Sequence, residues 1–341
     1  MTTDVSPAGI LEIARGFMAA KVLLVATRLG LFDVLVDGPM TGAEIAARLG
    51  LHPRAIPDFT DALVALRVLD RDGDGADGRY RNTEVSARYL VRASDHYVGG
   101  IIAMYDARLY GYWADLEEAL RTGRPQNEVK HTGAPLFEEL YRDPARLEQF
   151  MGAMSGISRA NFAVLAERFD FSPYRTLCDV GGAAADLSCA VAARHPHLRC
   201  TSFDLPVVEP IARAAIARRG LADRVTTATG DFFRDPIPPA DVVTMGMILH
   251  DWNLEKKKML IAKAYEALPA NGVFIVVENL IDDARREQVF GLLMSLNMLI
   301  EFGDAFDYTG ADFRGWCTDA GFRRVDVLPL GGPASAGIAF K

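Results

Sequence analysis

The chain has few cysteines, and they are scattered along it. Its four cysteines show neither the spacing of a zinc ligand set nor the density of a disulfide framework. Three of the four fall on predicted core elements, so we expect buried, reduced thiols of the kind found in cytoplasmic proteins. No metal site is expected from these spacings. The cysteines are Cys178, Cys189, Cys200 and Cys317.

Net positive charge and long apolar runs are also missing. The sequence holds 37 lysines and arginines against 45 aspartates and glutamates, a net charge of −8. This balance argues against a general binder of nucleic acids or anionic membranes. No apolar run approaches the length of a membrane span. The first residues, Met1–Pro7, show no basic segment followed by an apolar one, so we expect no secretory signal.

Apolar residues, by contrast, are plentiful enough for more than one core. Half of the 341 residues are hydrophobic, and this length is typical of two or three domains. The pattern along the chain predicts a winged-helix-like module over residues 1–95 and a helical linker over residues 96–172 that contributes to a ligand pocket. An α/β domain is predicted over residues 173–341.

The first segment has the order of elements found in winged helices. An amphipathic helical stretch over residues 10–35 precedes Thr41–Leu49, which starts with a capping box, and a further amphipathic helix, Ile56–Leu69. A turn-rich connector, Arg71–Arg79, then separates two short extended pieces. Residues 1–90 hold ten lysines and arginines against twelve aspartates and glutamates, whereas a major-groove reader needs surplus cations. We therefore interpret this segment as a packing or dimerisation module.

The remaining segments differ in their periodicity. Residues 96–172 are predicted to be helical and are rich in methionine and aromatic residues, most of them assigned to an interhelical core and a few to an apolar pocket. From residue 174 onward, short apolar runs alternate with helical patterns, which predicts a doubly wound, Rossmann-like α/β domain with a mostly parallel seven-stranded sheet. The last two strands are joined by Gly331–Gly337 without a helix, so they should pair antiparallel at one edge.

Acidic residues mark the ends of three successive strands. In such a sheet, ligands bind outside the carboxyl ends of the strands. Asp179 and Gly181 end the first strand, Asp204 ends the second, and Asp231 and Phe232 end the third. Carboxylates there can accept hydrogen bonds from ribose hydroxyls or an adenine amino group, and a ring can pack on the base. Each residue alone could be a cap, a turn or core residue, but together they predict a nucleotide-like cofactor site.

A candidate general base follows the fourth strand. His250 lies in a turn at the same edge, where a neutral imidazole could take a proton from a substrate hydroxyl. A lone histidine is more often structural. However, Glu278 closes the next strand at this edge, where it would orient the ring and raise its basicity. A charge that ends an all-apolar strand also needs a partner.

These motifs resemble those of the S-adenosylmethionine-dependent small-molecule O-methyltransferases, the family of plant caffeate-type and bacterial natural-product tailoring enzymes. The resemblance covers essentially the whole chain. The family's glycine motif falls on Asp179–Ala185, its ribose acid on Asp204, its His-Asp-Trp motif on His250–Trp252, and its second supporting acid on Asp307. The resemblance implies S-adenosylmethionine as cofactor, an aromatic small molecule methylated on a phenolic or similar hydroxyl, and an intertwined homodimer formed through the N-terminal module.

The resemblance also assigns roles to individual residues. His250 would deprotonate the hydroxyl, and Glu278, with Asp307, would orient its ring without any metal. The cofactor contacts fall on Asp179, Gly181, Asp204, Leu205, Asp231, Phe232 and Trp252. The substrate-facing positions fall on Met154, Met247, Asp251, Met294, Asn297 and Met298.

Two departures from the family pattern bear on these expectations. Asp307 is one methylene shorter than the family's glutamate. Ala183 and Ala185 replace glycines of the motif, and the second of them lies where the backbone passes close to the methionine end of the cofactor. If Ala185 has a positive φ, alanine costs roughly 1–2 kcal/mol there. If φ is negative, the methyl group only narrows the site.

Three other functions stay open at this point. The same scaffold could methylate carbon or nitrogen, with the histidine enolising or positioning the substrate. The altered glycine motif also leaves room for non-methylating chemistry that uses the bound sulfonium. A ligand-sensing winged-helix DNA-binding protein is the third alternative. The acidic module and the pair of His250 and Glu278 argue against it.

Overall fold

The computed structural model describes residues 6–132 and 136–341. Residues 1–5, the start of the segment considered for a secretory signal, lie outside this part. Within the described residues, no helix combines the length and the apolar character needed to cross a membrane.

The chain divides into two compact units, Met1–Gly111 and Tyr112–Lys341. The boundary between them falls inside the predicted linker, residues 96–172. The three-part division expected from the sequence stays a prediction.

The first unit contains the predicted helix–turn–helix with a two-stranded wing. Its strands form one small sheet in which β3 pairs antiparallel with both β1 and β2. The predicted capping box is confirmed, since Thr41 Oγ1 accepts from the Glu44 amide at 3.3 Å and Glu44 Oε2 accepts from the Thr41 amide at 2.7 Å. The elements are α1 (Ala8–Leu29), α2 (Leu31–Val34), β1 (Met40–Thr41), α3 (Gly42–Leu49), α4 (Ile56–Ala65), β2 (Leu69–Asp72), β3 (Arg79–Asn82), α5 (Glu84–Tyr89), α6 (Gly99–Met104) and a π-helical turn (Tyr105–Leu109).

The second unit alternates strands and helices from residue 176 onward, as the sequence predicts. Helices precede this part: α7 (Tyr110–Tyr112), which crosses the unit boundary, α8 (Leu116–Thr122), α9 (Leu136–Tyr141) and α10 (Pro144–Arg168). The alternating part comprises β4 (Thr176–Val180), α11 (Asp186–Arg194), β5 (Arg199–Asp204), α12 (Glu209–Arg218), β6 (Val225–Thr229), β7 (Val242–Gly246), α13 (Leu254–Ala267), β8 (Val273–Glu278), α14 (Val289–Phe302), α15 (Gly310–Ala320), β9 (Arg324–Gly331) and β10 (Ala334–Phe340).

The large sheet has the order β6-β5-β4-β7-β8-β10-β9. The pairs among β4 to β8 are parallel, and β10 pairs antiparallel with β8 and β9. The predicted antiparallel pair at one edge is therefore confirmed. The strand order reverses at β4, because the chain runs from β4 to β5 and β6 on one side of it and then returns to β7 and β8 on the other. In open parallel sheets, ligands bind in the crevice at such a reversal.

Strand β8 shows why the sheet lies between two apolar layers. Every residue of this strand is buried. Val273, Ile275 and Val277 contribute to one apolar cluster, and the alternate residues Phe274 and Val276 contribute to another. Because successive side chains of a strand point to opposite faces, a continuous apolar run indicates a strand covered on both sides. The two clusters hold the carboxyl edge of the sheet in place.

The loop between β4 and α11 has alternating positive φ angles. Gly181 has a φ of 67°, Ala183 a φ of 48° and Ala185 a φ of 56°. The question that the sequence left open is answered, because both alanines adopt the left-handed conformation that costs a residue with a Cβ about 1–2 kcal/mol. Ala185 is also the residue that precedes helix α11 as its N-cap.

We predict that Ala183→Gly stabilises the protein by about 0.5–1 kcal/mol. Relief of the left-handed strain outweighs the larger backbone entropy that glycine loses on folding. Urea denaturation should show a higher midpoint with an unchanged m-value. The matched control is Ala184→Gly. This neighbour has no positive φ, so the change should destabilise by about 0.5–1 kcal/mol. Equal shifts of the urea midpoint, with the same sign in both variants, would contradict the claim that Ala183 is strained.

Candidate active site

The carboxyl edge of the parallel strands gathers most of the polar residues singled out in the sequence. Asp179 lies in β4, Asp204 ends β5, and Glu278 ends β8. His250 lies in a short 3-10 turn, Leu249–Asp251, that follows β7. Because these strands are parallel neighbours, their carboxyl ends open on the same crevice.

Asp179 supports the loop from inside the sheet. Its side chain is buried, its Oδ1 accepts from Thr244 Oγ1 at 2.8 Å, and its Oδ2 accepts from Ser188 Oγ at 3.3 Å. Burial raises the pKa of Asp179 to about 7, and the two hydroxyl donors act in the opposite direction. The neighbours of Asp179 are therefore parts of β7 and α11.

Asp204 faces the loop that carries Ala183. Its Oδ2 accepts from the Ala183 amide at 2.9 Å, and its Oδ1 accepts from the Leu205 amide at 2.7 Å. Burial raises the pKa of this carboxyl, although both amides stabilise its charged form. Each carboxylate oxygen can accept a further hydrogen bond. A ligand with two adjacent hydroxyls fits this arrangement.

Asp231 and Phe232 follow β6 and differ in their surroundings. Asp231 Oδ1 accepts from the Phe233 amide at 2.9 Å, and its Oδ2 lies 3.4 Å from Arg234 Nε. The Phe232 ring lies 6.1 Å from the Trp252 ring, and Phe233 contacts both rings, at 4.7 and 4.6 Å between centroids. These rings form an aromatic wall beside the His250 turn.

His250 is buried among three carboxylates. Its Nδ1 lies 3.4 Å from Asp307 Oδ1, and its Nε2 lies 3.4 Å from Asp251 Oδ1. Glu278 Oε1 accepts from the Leu249 amide at 3.0 Å and so fixes the turn that carries the histidine. The structure thus brings together His250, Glu278 and Asp307, the three residues to which the resemblance gives catalytic roles.

Electrostatics in this cluster stabilise the imidazolium that forms when His250 takes up a proton. Burial lowers the pKa of His250, but the charges of Asp251, Glu278 and Asp307 together raise it well above its ordinary value. Burial also raises the pKa of Glu278 and of Asp251, and the imidazolium opposes this effect on both. Because these groups are coupled, the proton of the cluster can lie on the imidazole or on a carboxylate, and His250 accepts a proton from a substrate in the state in which its ring is neutral.

The same cluster leaves several polar atoms without a hydrogen-bond partner. Among the described residues, these include both carboxylate oxygens of Asp307, Glu278 Oε2 and His250 Nδ1. The potential ligand atoms of His250, Glu278 and Asp307 lie within 4.8 Å of one another. One imidazole and two carboxylates are also a possible ligand set for a divalent cation, but the ammonium of Lys257 already acts on both carboxylates as a counter-cation, so we assign no metal to them. The three residues are far apart in the sequence, so the cysteine spacings from which no metal site was expected did not reveal this grouping.

Lys257 belongs to this cluster and was missed in the sequence. It lies in α13 and its side chain is fully buried. Its Nζ donates to the Trp252 carbonyl and lies 3.7 Å from the centroid of the Phe306 ring. A signal was present, since Lys257 occupies the same helical stripe as the buried Leu260 and Ile261. A cation at a core position indicates buried anions nearby.

The predicted substrate positions lie on elements around the His250 turn. Met247 has a φ of 56° in the segment before the turn, and its sulfur lies 4.0 Å from Asn279 Nδ2. Asn297 Oδ1 accepts from the indole of Trp113 at 3.0 Å. Helix α14 packs against the turn and carries three of these positions. Met294 and Met154 are half-buried, and Asn297 and Met298 are buried.

Comparisons with known proteins bear on both units. Residues 113–323 match the model of an O-methyltransferase domain, and residues 11–92 match the model of an O-methyltransferase dimerisation domain. The second match supports the interpretation of the acidic winged-helix module as a dimerisation module.

Several relatives cover the chain nearly end to end. The tetracenomycin polyketide synthesis 8-O-methyl transferase TcmO of Streptomyces glaucescens is 39% identical over 98% of this chain and 97% of its own length. The N,N-dimethyltransferase OxyT of Streptomyces rimosus is 38% identical, covering 96% of each chain. The crystal structure of human N-acetylserotonin methyltransferase in complex with SAM matches with a TM-score of 0.90 at 31% identity, over 100% of this chain and 99% of that one.

We predict that Asp307→Asn lowers the pKa of His250 by about one unit or more, because it removes one of the anions that stabilise the imidazolium. Titration of ¹⁵N-labelled imidazole by NMR measures this directly. Asp304→Asn is the matched control, since it removes an exposed acid from the same loop. An equal shift in both variants would contradict the specific contact between Asp307 and His250.

Proposed function

The chain belongs to the O-methyltransferase family, whose enzymes use S-adenosylmethionine, and we propose that it methylates a hydroxyl group of an aromatic small molecule with His250 as general base. The observation that supports the base most directly is the buried imidazole held between Asp251 and Asp307 at 3.4 Å from each. Family membership makes the chain an S-adenosylmethionine-dependent O-methyltransferase. The individual residue roles are proposals.

The loop between β4 and α11 fits the cofactor. A Cβ on Gly182 would lie 2.3 Å from Ser202 Oγ, so the chain keeps this position without a side chain. Gly181 has a positive φ, which turns the backbone at the strand end. We propose that Asp204 and Leu205 face the ribose.

The other predicted cofactor residues complete the site. We propose that Asp231 and Phe232 face the adenine, that Trp252 closes the aromatic wall beside it, and that Asp179 holds the loop from behind through Thr244. When bound, S-adenosylmethionine supplies an electrophilic methyl group on its sulfonium.

The proposed proton transfer uses one nitrogen of His250. Its Nδ1 faces Asp307, so Nε2 is the nitrogen available to accept the proton of the substrate hydroxyl. Asp307 and Glu278 favour the imidazolium that results, because their charges raise the pKa of His250. Asp251 lies beside Nε2 and can accept a hydrogen bond from the substrate or from the imidazolium. Alignment of the hydroxyl with the methyl group supplies most of the remaining rate gain.

The substrate proposal rests on the helices around the turn. We propose that Met154, Met247, Met294 and Met298 provide apolar contacts. We also propose that the part of the predicted linker within the second unit, residues 112–172, contributes to this pocket. The Asn297 oxygen already accepts from Trp113, so its amide NH₂ is the part left for a substrate oxygen. Such a pocket suits a planar, mostly apolar molecule with a polar edge, as in secondary metabolism.

A homodimer through the first unit is part of the proposal. Helix α1 exposes a group of large apolar side chains, including Ile13 with 83% of its surface exposed and Phe17 with 55%. Patches of this kind on a small module mark association surfaces. The match to a dimerisation domain over residues 11–92 supports two copies of this chain as the pair.

The four cysteines are free and buried, in keeping with the proposed cytoplasmic location.

Nitrogen methylation is the second candidate. The relative OxyT is named an N,N-dimethyltransferase and is 38% identical over 337 residues. An amine needs no strong base once it is neutral, so the buried carboxylates around His250 favour the hydroxyl substrate.

We predict that His250→Ala lowers kcat by about 10²–10⁴-fold on a phenolic substrate, the usual contribution of a general base. Calorimetric titration should show unchanged affinity for S-adenosylmethionine and S-adenosylhomocysteine. His197→Ala is the control, because its ring bonds the Phe171 carbonyl in another part of the unit. N-acetylserotonin and 1,8-dihydroxyanthraquinone are the first probes. An unchanged rate in His250→Ala would overturn the base assignment. Full activity of that variant on an amine would favour nitrogen methylation.

We predict that the double variant Ile13→Asp/Phe17→Asp is a monomer in sedimentation equilibrium where the wild type is a dimer. Two carboxylates at the centre of an apolar interface carry a large desolvation cost. Glu12→Arg changes charge at an exposed polar position of the same helix and should remain dimeric. A wild-type protein that sediments as a monomer would refute the interface.

A further inference from the structure

Of the lysines in the part of the chain that the structure describes, only Lys257 has a fully buried side chain. The reaction steps proposed above do not use it. It lies in α13 on the apolar stripe formed by Leu260, Ile261 and Ala264, all fully buried. Burial of an ammonium is costly unless anions or hydrogen-bond acceptors compensate it. The environment of this side chain is therefore informative about its function.

The ammonium of Lys257 contacts two segments that flank the active site. Its Nζ donates to the carbonyl of Trp252, the residue that ends the His250 turn. The same atom lies 3.7 Å from the centroid of the Phe306 ring and 5.8 Å from that of Tyr308. These two aromatic residues lie on either side of Asp307. One cation thus joins the turn with His250 to the segment with its nearest carboxylate partner.

The charges around Lys257 are mostly negative. Carboxylates face it from three elements: Glu278 from β8, Asp251 from the turn, and Asp304 and Asp307 from the segment after α14. Two further cationic groups lie nearby: His250 when its ring is protonated, which acts on the same Asp251 and Glu278, and Lys256, which lies over the Trp252 ring at 4.7 Å. Burial lowers the pKa of Lys257 to about 8, against the effect of these carboxylates. In turn, its charge lowers the pKa of both Glu278 and Asp251.

We propose that Lys257 is a positioning residue for methyl transfer: its ammonium fixes the His250 turn against the Phe306–Tyr308 segment and balances the buried negative charge beside it. The proposal rests on the proposed role of His250 as base. Asp307 is shorter than the family's glutamate, and its Oδ1 reaches His250 Nδ1 only at 3.4 Å. A clamp on both sides of Asp307 holds that carboxylate toward the imidazole.

A purely structural role would not need a charge at this position. Removal of one member of a buried group of ions leaves its partners uncompensated and destabilises the fold, or does so less where a carboxylate takes up a proton instead. Methionine has a similar length and adapts to irregular spaces. Lys257→Met therefore keeps the packing but is expected to be less stable, and thermal melting checks that it is folded under the assay conditions. Lys257→Arg, which keeps the charge, carries the test where Lys257→Met is not folded.

The experiment compares Lys257→Met and Lys257→Arg with Lys258→Met. The last is the matched control, since Lys258 is the next residue of the helix and pairs with Asp319 at the surface, at 3.0 Å. Initial rates with 1,8-dihydroxyanthraquinone or N-acetylserotonin give kcat and KM between pH 5 and 10. Without the cation, Glu278 and Asp251 hold their protons to higher pH, because the charge of Lys257 lowers the pKa of both. The acid limb of the kcat profile should therefore move up by about one unit in Lys257→Met, and kcat near neutral pH should fall about tenfold. KM should change less than twofold.

A second measurement does not depend on turnover. NMR titration of ¹³C-labelled glutamate carboxyls follows Glu278, whose resonance Glu278→Gln identifies. Its pKa should rise in Lys257→Met and stay near the wild-type value in Lys257→Arg and Lys258→Met. This measurement stands even if neither probe is methylated, so failure of the proposed function and failure of the role of Lys257 can be told apart.

Three results would overturn the role of Lys257. One is a Glu278 pKa that is the same in Lys257→Met and the wild type. Another is a kcat profile of Lys257→Met that matches Lys258→Met at every pH. The third is a loss of activity in Lys257→Met that is equal at every pH, with no shift of the acid limb, and that Lys257→Arg does not restore. Such a loss indicates that the side chain contributes only by packing. A moved limb that Lys257→Arg brings back supports the proposal.

Discussion

The buried grouping of like charges around His250 is the constraint on which the rest of the site depends. Asp251, Glu278 and Asp307 repel one another in a place where water does not screen them. They are tolerated because His250 and the Lys257 ammonium lie among them. The arrangement places an imidazole of raised basicity, that of His250, in the crevice. Loss of either cation leaves buried anions uncompensated, so carboxylates of the site must take up protons or the fold loses stability.

The loop between β4 and α11 has a free-energy cost of another kind, which lies in its backbone conformation. Ala183 and Ala185 hold left-handed backbone in which glycine would be unstrained. Their conformation is maintained because the loop is fixed at both ends: Asp204 accepts from the Ala183 amide, and Asp179 binds β7 and α11. Backbone strain of this kind persists where the surrounding structure determines the conformation, and it is common at ligand sites.

The fold followed from the sequence to within a few residues at most elements. The apolar run of β8 and the alternation of runs and helices after residue 174 are local signals, and a parallel sheet is their usual outcome. The helix-free connection Gly331–Gly337 was enough to predict the antiparallel pair at the edge. The φ of Ala185 could not be predicted, because alanine ordinarily avoids the left-handed region and only the fixed loop imposes it.

By itself, the sequence determined which elements form, which strand ends carry Asp179, Asp204 and Glu278, and which family the motifs resemble. These properties depend on local periodicity and on the topology rules of parallel sheets. Only the tertiary structure decided that the shorter Asp307 still comes within 3.4 Å of His250 Nδ1, that the Asn297 oxygen accepts from Trp113, and that Lys257 is buried. Distances between side chains from separate elements depend on how those elements pack. No local pattern specifies them.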